Sequence, residues 1–393
     1  MSTFAIANVN AVLHDRVVTD ARIIIEDGVI TEISSGGASV PGAVDGRGAF
    51  CIPGIVDTHS DGLEMEPRPR PNANLPLDFS LRSFEAKVRA AGITTLFHGI
   101  GFENDGNRTV QFANDFVDEI HAHRMRPGAL IDNKVLYRLD ARDNDGFEAL
   151  VARLDDDREV EKKPLVSFED HTPGQGQYRD ITYFENWVMR HRNLSREEAR
   201  AHVETVIKER ELVAHNREKA LPWLTQRAGE GVIHLMAHDP ATPEEIAEAL
   251  TWNASIAEFP TTIEAARAAR DAGMRTVCGA PNVFRGGSHS GNVSAAELVS
   301  LGLCDGLSSD YLPFAMLGAV GTLVRDNVCS LPEAVRLVTS GPARTVGITD
   351  RGRLEVGLRA DVVVCRINGT DTSVLGVYRS GAVDVPDLAL QGA

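Results

Sequence analysis

Between residues 52 and 340, short apolar runs alternate with longer stretches whose apolar residues recur every three or four positions. The runs have strand length and the stretches have helix length, so the pattern predicts repeated β-α units. Strands are expected at 52–58, 93–98, 129–137, 164–169, 231–236, 255–259, 276–279 and 306–309. A helix is expected after each, at 81–91, 110–123, 146–154, 195–228, 243–250, 262–272, 295–301 and 331–339. Eight such units in succession predict an α/β fold, a TIM (β/α)8 barrel. The separation of Asp61, ending the first strand, from Asp310, ending the last, matches the roughly 250 residues typical of that fold. The fourth unit is lengthened by residues 175–227, whose charged helix (Arg196-Glu197-Glu198, Lys208-Glu209-Arg210-Glu211) carries opposite charges four apart and reads as a solvated face.

The chain ends have a different character. Residues 4–9 and 21–30 read as strands, with an Asp27-Gly28 turn, and 353–364 repeats the pattern. Both ends are expected to pair into one small β-sandwich. That gives a discontinuous domain, 1–50 with 346–393, beside a catalytic barrel at 51–345.

Composition narrows the function. Hydrophobic residues make up 43% of the chain, no apolar run reaches membrane-spanning length, and Met1 to Leu13 has no basic region. The expectation is a cytoplasmic protein with no membrane partner. Five scattered cysteines without C-x-x-C spacing read as buried apolar residues, not a disulfide framework. A formal charge of -16 disfavours nucleic acid as a partner. A small anionic substrate is compatible with it, given a local basic pocket, and a homo-oligomer stays open.

The polar residues at strand ends supply candidate chemistry, because barrel enzymes place their sites there. His59 and Asp61 end the first strand two residues apart, so they share a face and suit a divalent metal. The bland reading is a capping Asp beside a packed histidine. Glu169, Asp170 and His171 end the fourth strand, His238 the fifth, Glu258 the sixth and Asp310 the eighth. Their joint occurrence favours a centre of one or two divalent ions, zinc first, with manganese, iron or magnesium as other candidates. Asp170 and His171 are adjacent and face opposite ways in a regular strand, so at most one of them joins unless the strand has already ended. Glu258 is flanked by apolar residues and needs a metal or hydrogen-bonding partner. Asp310 is placed to act as general base for an activated water, although it could equally cap a helix. His121 and His123, two apart on a helix, read as surface.

A second constellation follows the seventh strand. Arg285, Gly286, Gly287, Ser288, His289 and Asn292 form a loop whose amides and side chains suit phosphate oxygens, where a plain surface loop is the alternative. Arg68 and Arg70, in a proline-rich segment after the metal motif, add positive charge. A phosphorylated small molecule is the expected partner.

These motifs resemble the amidohydrolase superfamily, whose terminal signatures look like Pro53-Gly54-Ile55-Val56-Asp57-Thr58-His59 and Gly357-Leu358-Arg359-Ala360-Asp361-Val362. Within it the chain is similar to the ribose triphosphate diphosphatase branch of the carbon-phosphorus lyase pathway. That resemblance rests on His59-Ser60-Asp61 with Pro67-Arg68-Pro69, Asp170-His171-Thr172-Pro173-Gly174-Gln175, Ala257-Glu258-Phe259-Pro260-Thr261-Thr262, residues 279–292 and Leu307-Ser308-Ser309-Asp310-Tyr311. It implies a metal-dependent hydrolase in which an activated water attacks the α-phosphorus of a ribose 5-triphosphate and pyrophosphate leaves. His59, Asp61, His238 and a fourth-strand carboxylate would be ligands. The chain departs from the branch at Gly62 and Met65, beside the metal pair. Two alternatives are carried forward: hydrolysis of a C-N bond at the same metal site, and a catalytically dead binding component of a pathway assembly.

Overall fold

The computed structural model describes residues 3–36, 42–70, 72–104, 108–126, 128–155, 161–288 and 290–379. Five strands open the chain: β1 (Thr3–Val12), β2 (Val17–Glu26), β3 (Val29–Ser35), β4 (Val44–Asp45) and β5 (Phe50–Pro53). Eight parallel strands follow: β6 (Ile55–Ser60), β7 (Ile93–Phe102), β8 (Asp132–Asp140), β9 (Leu165–Glu169), β10 (His234–His238), β11 (Ile256–Glu258), β12 (Arg275–Gly279) and β13 (Gly306–Ser308). The last two, β14 (Val362–Asn368) and β15 (Asp371–Tyr378), return to the N-terminal strands in one mixed sheet ordered β15-β14-β5-β1-β2-β3, with β4 on β1. The sheet from the chain ends is therefore hydrogen-bonded as a single unit, and its apolar side chains, Ile6, Ile23, Ile30 and Val364 among them, form a core separate from the barrel's.

The apolar run 52–58 divides between the two sheets. Phe50–Pro53 pairs with β14 and β1, and the barrel strand starts at Ile55. Gly54 lies at the crossing, where a Cβ would fall 2.2 Å from the Thr94 hydroxyl. Only glycine lets the backbone pass so close.

Inside the barrel the two-residue side-chain period stacks two layers. The lower layer is an apolar plug of Phe97, Leu136, Leu165, Met236, Ile256 and Val277. Two residues on along the same strands stand Gly99, Arg138, Ser167, His238, Glu258 and Gly279. The plug therefore raises a polar layer to the strands' C-terminal ends, where several strands run two to four residues further than the apolar runs suggest.

The stretch 195–228 is two helices, Arg196–Leu212 and His215–Gly229, and a further helix, Ile181–Arg192, precedes them. Ile181–Arg192 and Arg196–Leu212 form a hairpin that turns at left-handed Asn193 and restarts at a Ser195/Glu198 capping box. Val188, Ala199 and Val203 give it a small core of its own. The charged helix is not simply a solvated face. Arg210 reaches down to Asp140 (2.9 Å) and Asp170 (3.0 Å) at the barrel's strand ends.

His121 and His123 also differ from the surface reading, since both are buried. The His123 Nε2 lies 2.9 Å from Glu85 Oε2, and Glu85 Oε1 accepts from the amides of Leu130 and Ile131 and from Asn133 Nδ2. This network fixes the entry to β8. Among the described residues no helix is long and apolar enough to cross a membrane.

Arg351 ties the C-terminal segment to the barrel. It donates to Thr95 Oγ1 at 3.0 Å and to Asp132 Oδ2 at 2.8 Å, and both charges are nearly inaccessible. Burial raises the acid of Asp132, but Lys134, Arg124 and Arg351 outweigh it and hold it at about 2. A carboxyl depressed in the folded state stabilises above its unfolded pKa and loses that contribution as pH falls through the folded value. Arg351→Met should lower stability by about 1.5 to 3 kcal/mol at neutral pH, the scale for removing a charged hydrogen-bond donor from a buried carboxylate that keeps Arg124 and Lys134. The difference from wild type should narrow between about pH 4 and pH 2, read from urea midpoints across that range.

Candidate metal centre and active site

The C-terminal ends of the barrel strands open into one cavity of about 980 Å³. Glu258, fully buried on β11, organises its base. Its Oε1 lies 2.7 Å from His59 Nδ1 and its Oε2 lies 2.7 Å from His238 Nδ1, while Ser167 donates to Oε2 at 2.6 Å. Burial alone would keep this acid protonated, yet His59 and His238 outweigh it and hold the carboxyl far below its usual range. An ionised carboxylate only accepts, so each Nδ1 carries the hydrogen and each Nε2 is directed elsewhere.

The two Nε2 atoms meet separate acids. His59 Nε2 lies 3.2 Å from Asp61 Oδ1, and His238 Nε2 lies 3.7 Å from Glu169 Oε2 and 3.4 Å from Asp239 Oδ2. Burial favours neutral imidazoles, but Glu258 and Asp61 raise His59, and Asp239 and Glu258 raise His238 to about 9. His171, two residues past the end of β9 at Glu169, joins the same cluster, and its ring sits 5.2 Å from that of His238. Burial, with His238 nearby, brings His171 down to about 4 against the pull of Glu169, which leaves a neutral ring with a lone pair.

Asp170 is turned out of this cluster. Its carboxylate takes Arg142 (2.8 Å), Arg210 (3.0 Å) and the Thr172 hydroxyl, so it braces the loop after β9 and the expectation of a ligand there does not hold. Asp310 joins from β13 in a left-handed conformation, φ 55°. Burial, then the Asp61 carboxylate, push its acid up to about 6. Arg138, on β8, lies between Asp61 (2.6 Å) and Glu169 (3.1 Å). Room for that bridge comes from Gly99, where a Cβ would sit 2.7 Å from Asp61 Oδ1 and 3.1 Å from Arg138 Cδ.

The donor set fits divalent metal. Three groups have ligand atoms within 4.8 Å of one another: His59, Asp61 and Asp310; Glu169, His171 and His238; and His59, His238 and Glu258. Five carboxylates converge there on a single guanidinium, and the buried Asp239 Oδ2 has no hydrogen-bond partner. Mixed imidazole and carboxylate donors in excess negative charge suit zinc, manganese or iron.

On the rim, Arg285, Ser288 and Asn292 line the same cavity as His59, Asp61, His238 and Asp310. Arg285 ends the helix Ala280–Arg285 and donates to the Gly287 carbonyl (2.9 Å) and the Tyr311 hydroxyl (3.1 Å). Gly286 takes φ 84° to turn the chain beneath it. His289 lies outside the described residues. Arg68 and Arg70 do not line the cavity: the Arg68 guanidinium stacks on Phe112 at 4.5 Å, because the short helix Gly62–Met65 carries the proline segment outward over the helix Val110–Arg124.

Comparison with known proteins agrees with this geometry. The family model described as "Amidohydrolase family" matches residues 294–383. Over 387 residues the chain is 34% identical to alpha-D-ribose 1-methylphosphonate 5-triphosphate diphosphatase of Escherichia coli (strain K12), covering 96% of this chain and 98% of that protein. The chain belongs to the amidohydrolase family. Its fold is shared with solved structures of a triazine hydrolase variant (TM-score 0.64, 14% identity, 98% of this chain and 95% of that one) and N-acetylglucosamine-6-phosphate deacetylase from Pasteurella multocida (TM-score 0.56, 13% identity, 97% and 99%). This amidohydrolase is a metal-dependent hydrolase.

Several of its cavity residues escape a reading of the strand ends alone. Arg138, Asp140 and Arg142 are the main ones. The signal for Arg138 was present, since an arginine and an aspartate alternate with Leu136, Tyr137 and Leu139 in a run too apolar to leave charge unpaired.

Because Glu258 sets both ring tautomers, Glu258→Ala should loosen metal about 10- to 100-fold, the range for losing a carboxylate that orients histidine ligands. Competition with a chelator measures this directly. Unchanged affinity in the folded variant would mean that the two rings hold their orientation without it.

Proposed function

We propose that this amidohydrolase cleaves the phosphoanhydride between the α- and β-phosphates of a phosphorylated ribose. Alpha-D-ribose 1-methylphosphonate 5-triphosphate or a related compound is the substrate, with pyrophosphate as product. The observation that carries the reading is the shared cavity: Arg285, Ser288 and Asn292 on its rim face the same space as the acid and imidazole cluster at its base. A neutral amide needs no such rim. The E. coli relative of this length and identity supports the same reaction.

His59, Asp61 and Asp310 would hold one divalent ion and Glu169, His171 and His238 a second, with Glu258 fixing the two histidines that belong to different groups. Bound metal supplies a lowered pKa for water and stabilisation of charge on phosphoryl oxygens. The remaining work falls to the chain. Asp310, ionised at neutral pH even with its acid at about 6, accepts the proton of the attacking water. Water oxygen bonds to the α-phosphorus as the bond to the bridging oxygen breaks, and pyrophosphate departs with that oxygen. Arg285 and the loop hydroxyls orient the phosphates. Arg138 keeps Asp61 and Glu169 in place.

Two measurements test this. Asp310→Asn should lower kcat about 10²- to 10⁴-fold with little change in KM for the triphosphate, the pattern for losing a general base. Arg285→Ala should raise KM by about 10-fold or more, as expected for one charge-assisted hydrogen bond. A wild-type enzyme that releases no pyrophosphate from ribose or nucleoside triphosphates, but opens a neutral amide or lactam efficiently, would replace this reading with C-N hydrolysis.

A further inference from the structure

Six arginines line the cavity: Arg108, Arg138, Arg142, Arg192, Arg210 and Arg285. Four are already neutralised by acids. Arg108 pairs with Glu64 and Glu103, Arg138 with Asp61 and Glu169, Arg142 with Asp170, and Arg210 with Asp140 and Asp170. An arginine engaged this way brings no net charge to a ligand, and breaking a buried pair costs several kcal/mol. The two without a carboxylate partner among the described residues are Arg285, on the loop after the seventh barrel strand, and Arg192, on the hairpin after the fourth.

Arg192 is the final residue of the helix Ile181–Arg192, immediately before the hairpin turn. His202, on the facing helix and also lining the cavity, has a ring with no hydrogen-bond partner among the described residues. Strands four and seven stand three places apart around an eight-stranded ring, so the elements that follow them face each other across the mouth. Among the hairpin residues that line the cavity the acid is Glu209, seven residues from His202 and about 10 Å along the helix toward the barrel, while Glu197 and Glu198 beside the turn do not line it.

We infer that the hairpin tip is a polyphosphate-binding element, in which Arg192 and His202 hold the distal phosphates of the substrate while Arg285 holds it from the opposite rim. The inference rests on the phosphoanhydride reading for its biological meaning and extends it to a stated specificity: the chain length of the phosphate. Mono-, di- and triphosphates bind alike at the metal end, and only the longer ones reach the tip. Because the leaving pyrophosphate is held equally before and during bond cleavage, the tip acts on KM and leaves kcat nearly unchanged.

The test uses metal-loaded, full-length enzyme with inorganic tripolyphosphate as a binding probe, followed by kinetics on a ribose 5-phosphate series. Arg192→Ala should weaken tripolyphosphate about ten-fold or more and raise KM for the triphosphate by a similar factor, with kcat within about two-fold. His202→Ala should have a smaller effect in the same direction, and monophosphate binding should not change in either. Arg200→Ala, on the same hairpin but exposed and paired with Glu204, is the control and should match wild type. Tripolyphosphate binding and KM both unchanged in the Arg192→Ala/His202→Ala double variant would overturn the inference. A wild type that binds tripolyphosphate through the tip yet hydrolyses no phosphoanhydride would sustain the inference and sink the proposed reaction.

Discussion

The site depends on how the barrel closes. The first and last strands meet where the functional residues stand: the Asp310 amide donates to the His59 carbonyl at 2.9 Å and the Asp61 amide to the Asp310 carbonyl at 2.7 Å. One layer below, the buried Asp57 Oδ1 accepts from the amides of both His59 and Ser309. A carboxylate that grips two strand ends at once fixes their register. A slip of one residue between these strands would turn His59 and Asp61 to the outer face. The same backbone bonds that close the cylinder therefore place three candidate ligands on one face.

Closure alone would leave a dense knot of acid. The polar layer concentrates Asp61, Glu169, Asp239, Glu258 and Asp310 in a volume from which water is largely excluded, and an unpaired charge there costs several kcal/mol. The protein answers in two ways. Outward of the centre arginines answer the acids, Arg210 serving Asp140 and Asp170, and Arg108 serving Glu64 and Glu103. At the centre the count of guanidinium falls to one, and divalent metal is the remaining partner of sufficient charge. The raised His238 reports the same imbalance, and Asp310 is raised first by burial and then by the Asp61 carboxylate beside it.

The barrel was legible because its signal is local: an apolar run bounded by amphipathic helix survives any detail of packing. His59 with Asp61 was legible for the same reason, as residues two apart at the end of a strand keep to one face, whereas which of Glu169, Asp170 and His171 would join them was not. What was missed depends on contacts far apart in the chain. Nothing near Arg210 says that its guanidinium crosses to Asp140, and nothing near Arg68 says that Phe112 will be the ring beneath it. The helix 110–124 misled through its spacing, because His121 and His123 do not share one face yet both are covered once Glu85 and β8 pack around that helix. Charge patterns four apart describe an isolated helix well and a helix folded over a cavity poorly.

The net charge of -16 also means less than it first suggests. At physiological ionic strength fields between exposed charges fade over about 8 Å, so an anion approaching from solution meets chiefly the groups within that distance. Around the cavity mouth those groups include Arg285 on the rim and Arg192 and His202 on the hairpin, with Glu209 further along its wall. Between the mouth and the centre, paired arginines and acids cancel at short range. Binding of an anion then rests on a few short contacts that an acidic surface elsewhere can neither supply nor prevent. The long fourth unit, which reads from sequence as an excursion of solvated helix, is what carries Arg192 and His202 to the cavity of a barrel whose own strand ends are acidic.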